Sequence, residues 1–244
     1  MWEDATNKIA YSRRCEYFLG EELDSVMNYP LKNALIKYLT TGKTAGLKQV
    51  VLEQLNNYPP CALNLLMNIL GTHDTERILT ALSGVKVPSD RLSASLLTLT
   101  KEERELAVKR LKLAFEFLFT IYGVPSIYYG DELGFEGAKD PFNRQCMKFS
   151  GGNKEILNLV KTLSKIRSKY EVFKNGKTAL KFASDGVFAF TRKDDETEIP
   201  VIVNAGNYSF TVDCNNLENL ISGKTLNKYN LETNSYLILK RRLK

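Results

Sequence analysis

The 244 residues include one histidine, seven prolines and four cysteines, and each scarcity removes a class of protein. Cys15, Cys61, Cys146 and Cys214 lie far apart with no C-x-x-C pair, so neither a disulfide framework nor a thiolate zinc site is indicated, and free thiols are expected. No metal or cofactor is expected. No apolar run approaches the ~20 residues of a membrane helix, and the opening M-W-E-D-A-T-N is acidic and polar, unlike a signal peptide. The expectation is a cytoplasmic protein with no membrane partner. Charge of one sign is not concentrated either. The net +6 arises from basic residues spread among 28 acids, and the one dense run, Lys240-Arg241-Arg242-Leu243-Lys244, reads as a solvated tail. Nucleic acid is therefore not an expected partner. Low-complexity tracts are missing too. What remains is 43% hydrophobic and 10% aromatic, enough for a sizeable core in one or two domains.

What is present falls into two textures that meet near Tyr170. Before it, helical periodicity dominates: residues 30–40 (P-L-K-N-A-L-I-K-Y-L-T), 47–55, 101–120 and 155–169. In the third of these Thr100 is placed to cap, Glu102 and Glu103 fall in the first turn, and Leu106, Leu113, Phe117 and Leu118 form an apolar stripe. The fourth carries Ile156, Leu157, Val160, Leu163 and Ile166 at similar spacing. Short apolar runs at 23–27, 66–70 and 125–129 fit buried strands, and their alternation with helices predicts an α/β arrangement with parallel pairing. After Tyr170, segments 178–182, 187–192, 200–204, 208–212 and 235–240 alternate with turn-forming D-G, N-A-G-N and S-G-K. That predicts a small antiparallel β-domain packed on the helix 155–169, with domains spanning 1–169 and 170–244.

The lone histidine stands in N-I-L-G-T-H-D-T-E-R-I-L-T, residues 68–80. His73 and Asp74 emerge at the carboxyl end of a predicted strand, where α/β folds hold ligands. Taken alone, the stretch also fits a plain structural account, with His73 in the core and Asp74 capping a short helix over 75–82. The third strand leads into G-V-P-S-I-Y-Y-G-D-E-L-G-F-E-G-A-K-D-P-F-N-R-Q-C-M, residues 123–147. Its end carries Tyr129, Gly130, Asp131 and Glu132, and its loop carries Asp140, Asn143 and Arg144. Acids and an arginine converging on one face suit a neutral polyol ligand, whose hydroxyls pair with carboxylate and guanidinium. For Asp131 and Glu132 a buried structural role is the stronger reading.

Together, L-D-S-V-M-N-Y-P, I-L-G-T-H-D-T-E-R, G-V-P-S-I-Y-Y-G-D-E-L-G and G-A-K-D-P-F-N-R closely resemble the α-amylase family of retaining α-glucan hydrolases, glycoside hydrolase family 13. Within it they are most similar to the neopullulanase, cyclomaltodextrinase and maltogenic amylase branch. The resemblance implies a (β/α)₈ barrel followed by a small β-sandwich. It implies that Asp74 is the third catalytic carboxylate, holding the distorted sugar, and that His73 bonds the same sugar. Asp140 and Arg144 match a pair that grips this sugar from the last strand's loop. Met1-Trp2-Glu3-Asp4-Ala5 resembles the residues just after the family's acid/base glutamate. The chain is thus expected to be the C-terminal part of such an enzyme, holding barrel strands six to eight.

Retaining hydrolysis needs two carboxylates roughly 5–5.5 Å apart. With the nucleophile Asp and acid/base Glu expected to be missing, the isolated chain is expected not to turn over maltooligosaccharides, cyclodextrins, pullulan or starch. Its expected partners are an α-glucan with α-1,4 or α-1,6 linkages and the missing N-terminal part of the same enzyme. An alternative is a non-catalytic, carbohydrate-binding or oligomeric remnant. A third reading is an interaction module using uncovered strand edges. Three strands cannot close a barrel, so self-association is also expected.

Overall fold

The computed structural model describes residues 23–243. The opening segment with Glu3, Asp4 and Cys15 lies outside them. Helices α1 (Tyr29–Thr41), α2 (Ala45–Asn57) and α3 (Pro60–Leu65) precede strand β1 (Met67–Ile69). Helices α4 (Ile78–Ser83), α5 (Arg91–Ser95) and α6 (Lys101–Thr120) follow, then β2 (Val124–Ser126), a 3₁₀ turn at Asp131–Leu133, α7 (Lys154–Lys169) and α8 (Val172–Asn175). Strands β3 (Lys177–Ser184), β4 (Val187–Lys193), β5 (Thr197–Asn204), β6 (Phe210–Asn219), β7 (Thr225–Leu231) and β8 (Ser235–Arg242) complete the chain.

The parallel pairing expected from the strand and helix alternation is present but shorter than expected. β1 and β2 pair in parallel over three residues, with Met67 opposite Val124 and Ile69 opposite Ser126. In run 23–27, Val26 and Met27 lie in β-bridges, and Met27 pairs in parallel with Met67. Tyr128 and Tyr129, expected inside the third strand, lie beyond it in the loop. Buried amides knit these pieces together. Asn28, fully buried, donates to Asn68 at 2.8 Å and to Gln54 at 3.1 Å, and its own oxygen caps α1 at Leu31. Tyr122 closes the network on Gln54 at 2.8 Å. Every member has a partner, so hydrogen bonds offset the cost of burying these amides while the cluster fixes register. Gly123 sits at φ +81°, where a Cβ would come within 2.6 Å of the Leu66 carbonyl; glycine is the residue that lets the strands approach.

Helix α6 begins in a capping box: Thr100 accepts from the Glu103 amide and Glu103 returns a bond to the Thr100 amide. Its second half is buried nearly all round, including Leu113, Phe115, Phe117 and Leu118. It touches β2 of the parallel pair and also β5 and β8 of the antiparallel sheet. Glu116 is also buried there, with the Tyr236 hydroxyl against it, and burial pushes its carboxyl well above the usual range.

The six antiparallel strands run in the order β3-β4-β5-β8-β6-β7. The sheet packs on α6, α2 and α8, with Tyr38 of α1 also against it, rather than chiefly on the expected helix, α7. Phe117 meets Phe188 and Phe190 edge-on at 5.7 and 5.5 Å, and Tyr38 donates to the Gly186 and Val203 carbonyls. Side chains alternate along β8: Ile238 joins this core, whereas Leu237 and Leu239 face a second cluster with Cys214 and Leu231. That second cluster lies beneath the β6–β7 hairpin, which pairs with β8 at Glu218 and Asn219 and through the Leu220 amide on the Ile238 carbonyl. Strand β7 was not expected from the sequence, and β6 runs past residue 212 because a register shift between Asp213 and Leu217 breaks its period. Cys61, Cys146 and Cys214 are free thiols, and among the described residues no helix is long and apolar enough to cross a membrane.

Candidate functional site

Two loops build the site. The first follows β1 and runs from Gly71 to Arg77; the second follows β2 and carries the 3₁₀ turn and residues 134–145. Asp74 does not cap a helix: α4 starts later, at Ile78, with Arg77 at its cap position. His73 and Asp74 stand in an irregular turn with both side chains more than half exposed, 57% and 55%. The His73 Nε2 lies 3.1 Å from Asp74 Oδ2.

The second loop brings Asp140 and Arg144 to the same place. They sit one turn apart, and Arg144 Nε approaches Asp140 Oδ1 to 2.7 Å while also donating to the His73 carbonyl at 3.1 Å. Arg144 Nη2 lies 3.8 Å from Asp74 Oδ1. All four side chains singled out from the sequence therefore meet in one open cluster, with two carboxylates, an imidazole and a guanidinium facing solvent. Such a set can donate and accept in fixed directions, as a hydroxyl-rich ligand requires. Among the described residues no group of three or more His, Cys, Asp or Glu side chains is placed to hold a metal ion.

Beneath this open cluster lies a second arginine–carboxylate pair. Arg77 and Asp131 are 0% and 1% exposed, with Nη1 at 3.2 Å from Oδ1. Arg77 Nη1 also donates to the Tyr129 carbonyl, and its guanidinium lies over the rings of Tyr128 and Tyr129 at 4.5 and 4.6 Å. Asp131 packs against Gly71, where a Cβ would come within 2.2 Å of Oδ2; only glycine fits. Burial pushes the Asp131 carboxyl up to about 7, against the opposing pull of Arg77. Asp131 thus does not join the exposed cluster but ties the two loops from below. Lys32, on α1, is buried nearby, and burial lowers its ammonium.

Two residues gained roles the sequence did not reveal. Asn143, 0% exposed, directs its amide nitrogen at the carbonyls of Thr72, His73 and Thr75. Arg77 was visible only as part of a motif. Asn143 acts on backbone carbonyls, which any residue offers, and Arg77 on one carbonyl, a carboxylate and two rings from a loop some fifty residues away, so no local pattern announces either.

The chain as a whole has known relatives. A family profile described as "Alpha amylase, catalytic domain" matches residues 5–181. The cyclomaltodextrinase of Thermoanaerobacter pseudethanolicus is 32% identical over 251 aligned residues, spanning 98% of this chain and 38% of that protein. The maltogenic α-amylase of Bacillus acidopullulyticus is 32% identical over 194 residues, 76% of this chain and 29% of that one. Among solved structures, the α-amylase of Geobacillus thermoleovorans complexed with acarbose superposes with a TM-score of 0.77 at 22% identity, covering 99% of this chain and 53% of that one, and so supports the fold. The chain thus spans well under half the length of these two curated relatives. With the profile matching most of its residues, the chain belongs to the α-amylase family.

Proposed function

We propose that this chain supplies the sugar-gripping side of an α-glucan hydrolase active site. In this reading Asp74 holds the distorted sugar at the cleaved bond, His73 bonds the same ring, and Asp140 and Arg144 clamp it from the second loop. The carrying observation is the convergence of these four side chains from two loops, Arg144 touching both Asp140 and the His73 carbonyl. The curated relatives are named for cyclomaltodextrin, pullulan and maltogenic activities, and α-1,4 or α-1,6 glucans are the proposed ligands.

Cleavage needs more than the described cluster offers. Retention requires a nucleophile and an acid/base roughly 5–5.5 Å apart. Of the two carboxylates in the cluster, Asp140 is held by Arg144 at 2.7 Å, which leaves Asp74 without a catalytic mate. The chain alone is proposed to bind glucan without turning it over, and to work with a polypeptide that brings the remaining barrel strands. Residues 1–169 are read as the barrel part and 170–244 as the family's small β-sandwich. Among the described residues the outer side of β2 is unpaired and Val124 is 46% exposed, so either that polypeptide or a second copy is the proposed cover.

The test is to add maltoheptaose to the isolated chain and follow both sugar cleavage and binding. Binding without cleavage, with binding lost in Asp74→Asn, is expected. Cleavage abolished by Asp74→Asn would overturn the inactivity of the chain, and absence of any binding would overturn the glucan reading.

A further inference from the structure

We infer that Asn143 is the positioning residue of the site: its buried amide clamps the His73–Asp74 turn from the second loop and preforms the sugar-gripping half within this chain. The inference rests on the proposed function for the identity of the ligand, and on geometry for everything else.

The turn that carries His73 and Asp74 has little to hold it in place. Its own bonds are long: the Asp74 amide to Thr72 Oγ1 at 3.3 Å, and Thr72 Oγ1 to Thr75 Oγ1 at 3.3 Å. Neither would fix two exposed side chains against solvent. Asn143 supplies what is missing. Its Nδ2 lies 2.7 Å from the Thr75 carbonyl, 2.8 Å from that of His73 and 3.1 Å from that of Thr72. A primary amide has two N–H groups, so at least one proton is shared among these acceptors. Turning the amide over would set its oxygen against all three carbonyls, so the donor orientation is dictated by the surroundings.

The clamp acts on backbone, not on the functional side chains. That distinction matters, because fixing the carbonyls of Thr72, His73 and Thr75 sets where the Cα–Cβ bonds of His73 and Asp74 point. Asn143 is itself held in a tight turn, with the Phe142 amide on the Lys139 carbonyl and the Arg144 amide on the Pro141 carbonyl. Its neighbour Arg144 adds the second donor to the His73 carbonyl. Further down, the Arg77 amide bonds the Gly137 carbonyl, and the Gly137 amide bonds Thr80 Oγ1. The two loops are zipped along their length, and Asn143 closes the zip at the functional end. Aspartate has the same shape but no donor. Serine has one donor and a shorter reach.

The sole histidine makes the inference directly measurable, since the imidazole signal in an NMR spectrum of the full chain belongs to His73 alone. The wild-type signal is expected away from the position of an unstructured histidine. Asn143→Asp should shift it toward that position, Asn143→Ser by less, while the upfield core methyl signals stay in place in both. An unmoved His73 signal in Asn143→Asp, or equal shifts in the two variants, would overturn the assignment. So would loss of the methyl dispersion in both, which would make Asn143 a folding residue. Maltoheptaose then separates the two readings. Movement of the wild-type signal with sugar, lost in Asn143→Asp, supports both. A signal that the variants shift but that no sugar moves leaves the clamp standing and sinks the glucan reading.

Discussion

Arg77–Asp131 and Arg144–Asp140 join the same two side-chain types across the same neighbourhood of loops, yet they differ in almost every physical respect. The first pair is 0% and 1% exposed and the second 46% and 48%. The buried pair touches Tyr129, Gly71 and the aromatic rings, so its environment is fixed and dry. The open pair faces water and the candidate ligand. Depth lets the first pair hold the loops together, and on the proposed reading it leaves the second free to grip a glucan. Charges are worth little to stability where water screens them, and much where removing one leaves its partner stranded.

The largest expected effect follows from that asymmetry. Asp131→Ala leaves the Arg77 guanidinium buried without its carboxylate, and arginine cannot shed its proton; the loss should be about 3–5 kcal/mol in denaturant unfolding. Arg77→Leu should be milder, because a stranded Asp131 can take up a proton instead. If Arg77→Leu proves the more damaging, the guanidinium's bond to the Tyr129 carbonyl and its stacking outweigh the charge pair.

The second prediction sharpens the same pair through pH. The folded-state carboxyl of Asp131 is raised to about 7 from an ordinary value of 3.8. A raised acid pKa means that the folded state binds the proton more tightly. Its stabilising contribution is full below about pH 4 and is lost as pH rises toward 7, a change on the order of a few kcal/mol. Thermal melts from pH 4 to 8 should show wild-type stability falling, and Asp131→Asn should flatten that fall. A wild type whose slope matches Asp131→Asn would mean that Arg77 holds the carboxylate charged throughout.

How much of this was legible depended on whether a residue acts through a pattern. Helices α1, α2, α6 and α7 carry the 3.6 period over three or more turns, and their spans came out of the sequence with small errors at the ends. The parallel strands are three residues long, so their neighbours Tyr128 and Tyr129 looked equally strand-like. Strand β7, T-L-N-K-Y-N-L, presents polar side chains at most positions and buries chiefly Leu231, leaving no alternation to find. In the site, His73, Asp74, Asp140 and Arg144 were legible as motif residues, and the fold brought them together. Asn143 lies in the same loop, yet an amide that serves three backbone carbonyls follows no sequence rule.

A second buried carboxylate extends the comparison to the case with no arginine at all. Glu116 on α6 is 1% exposed, and burial holds its carboxyl well above the usual range, with Tyr236 opposing this only in part. Here too the sign is that of a raised acid: the neutral form is favoured on folding, and stability is lost as pH rises above the ordinary glutamate value. Glu116→Gln keeps the shape and removes the charge. It should raise unfolding free energy by roughly 1–3 kcal/mol above neutral pH and leave it almost unchanged near pH 4. A gain that is the same at both ends would point to packing rather than protonation.

The smallest expected effect on stability belongs to the open pair. Arg144→Lys keeps the charge but replaces a planar fork, whose Nε serves both Asp140 and the His73 carbonyl, with a single ammonium on a flexible stem. Because the pair is about half exposed, its contribution lies below about 1 kcal/mol, which corresponds to no more than about 2–4 °C in melting temperature for a chain of this size. Added salt should shrink even that difference, since exposed charges are screened within about 10 Å, while the difference between wild type and Asp131→Ala should barely respond. The same substitution should nonetheless remove the response of the His73 signal to maltoheptaose, because a lysine cannot reach both partners at once. A variant as unstable as Asp131→Ala, or one that binds sugar normally, would erase the division of labour between the two pairs.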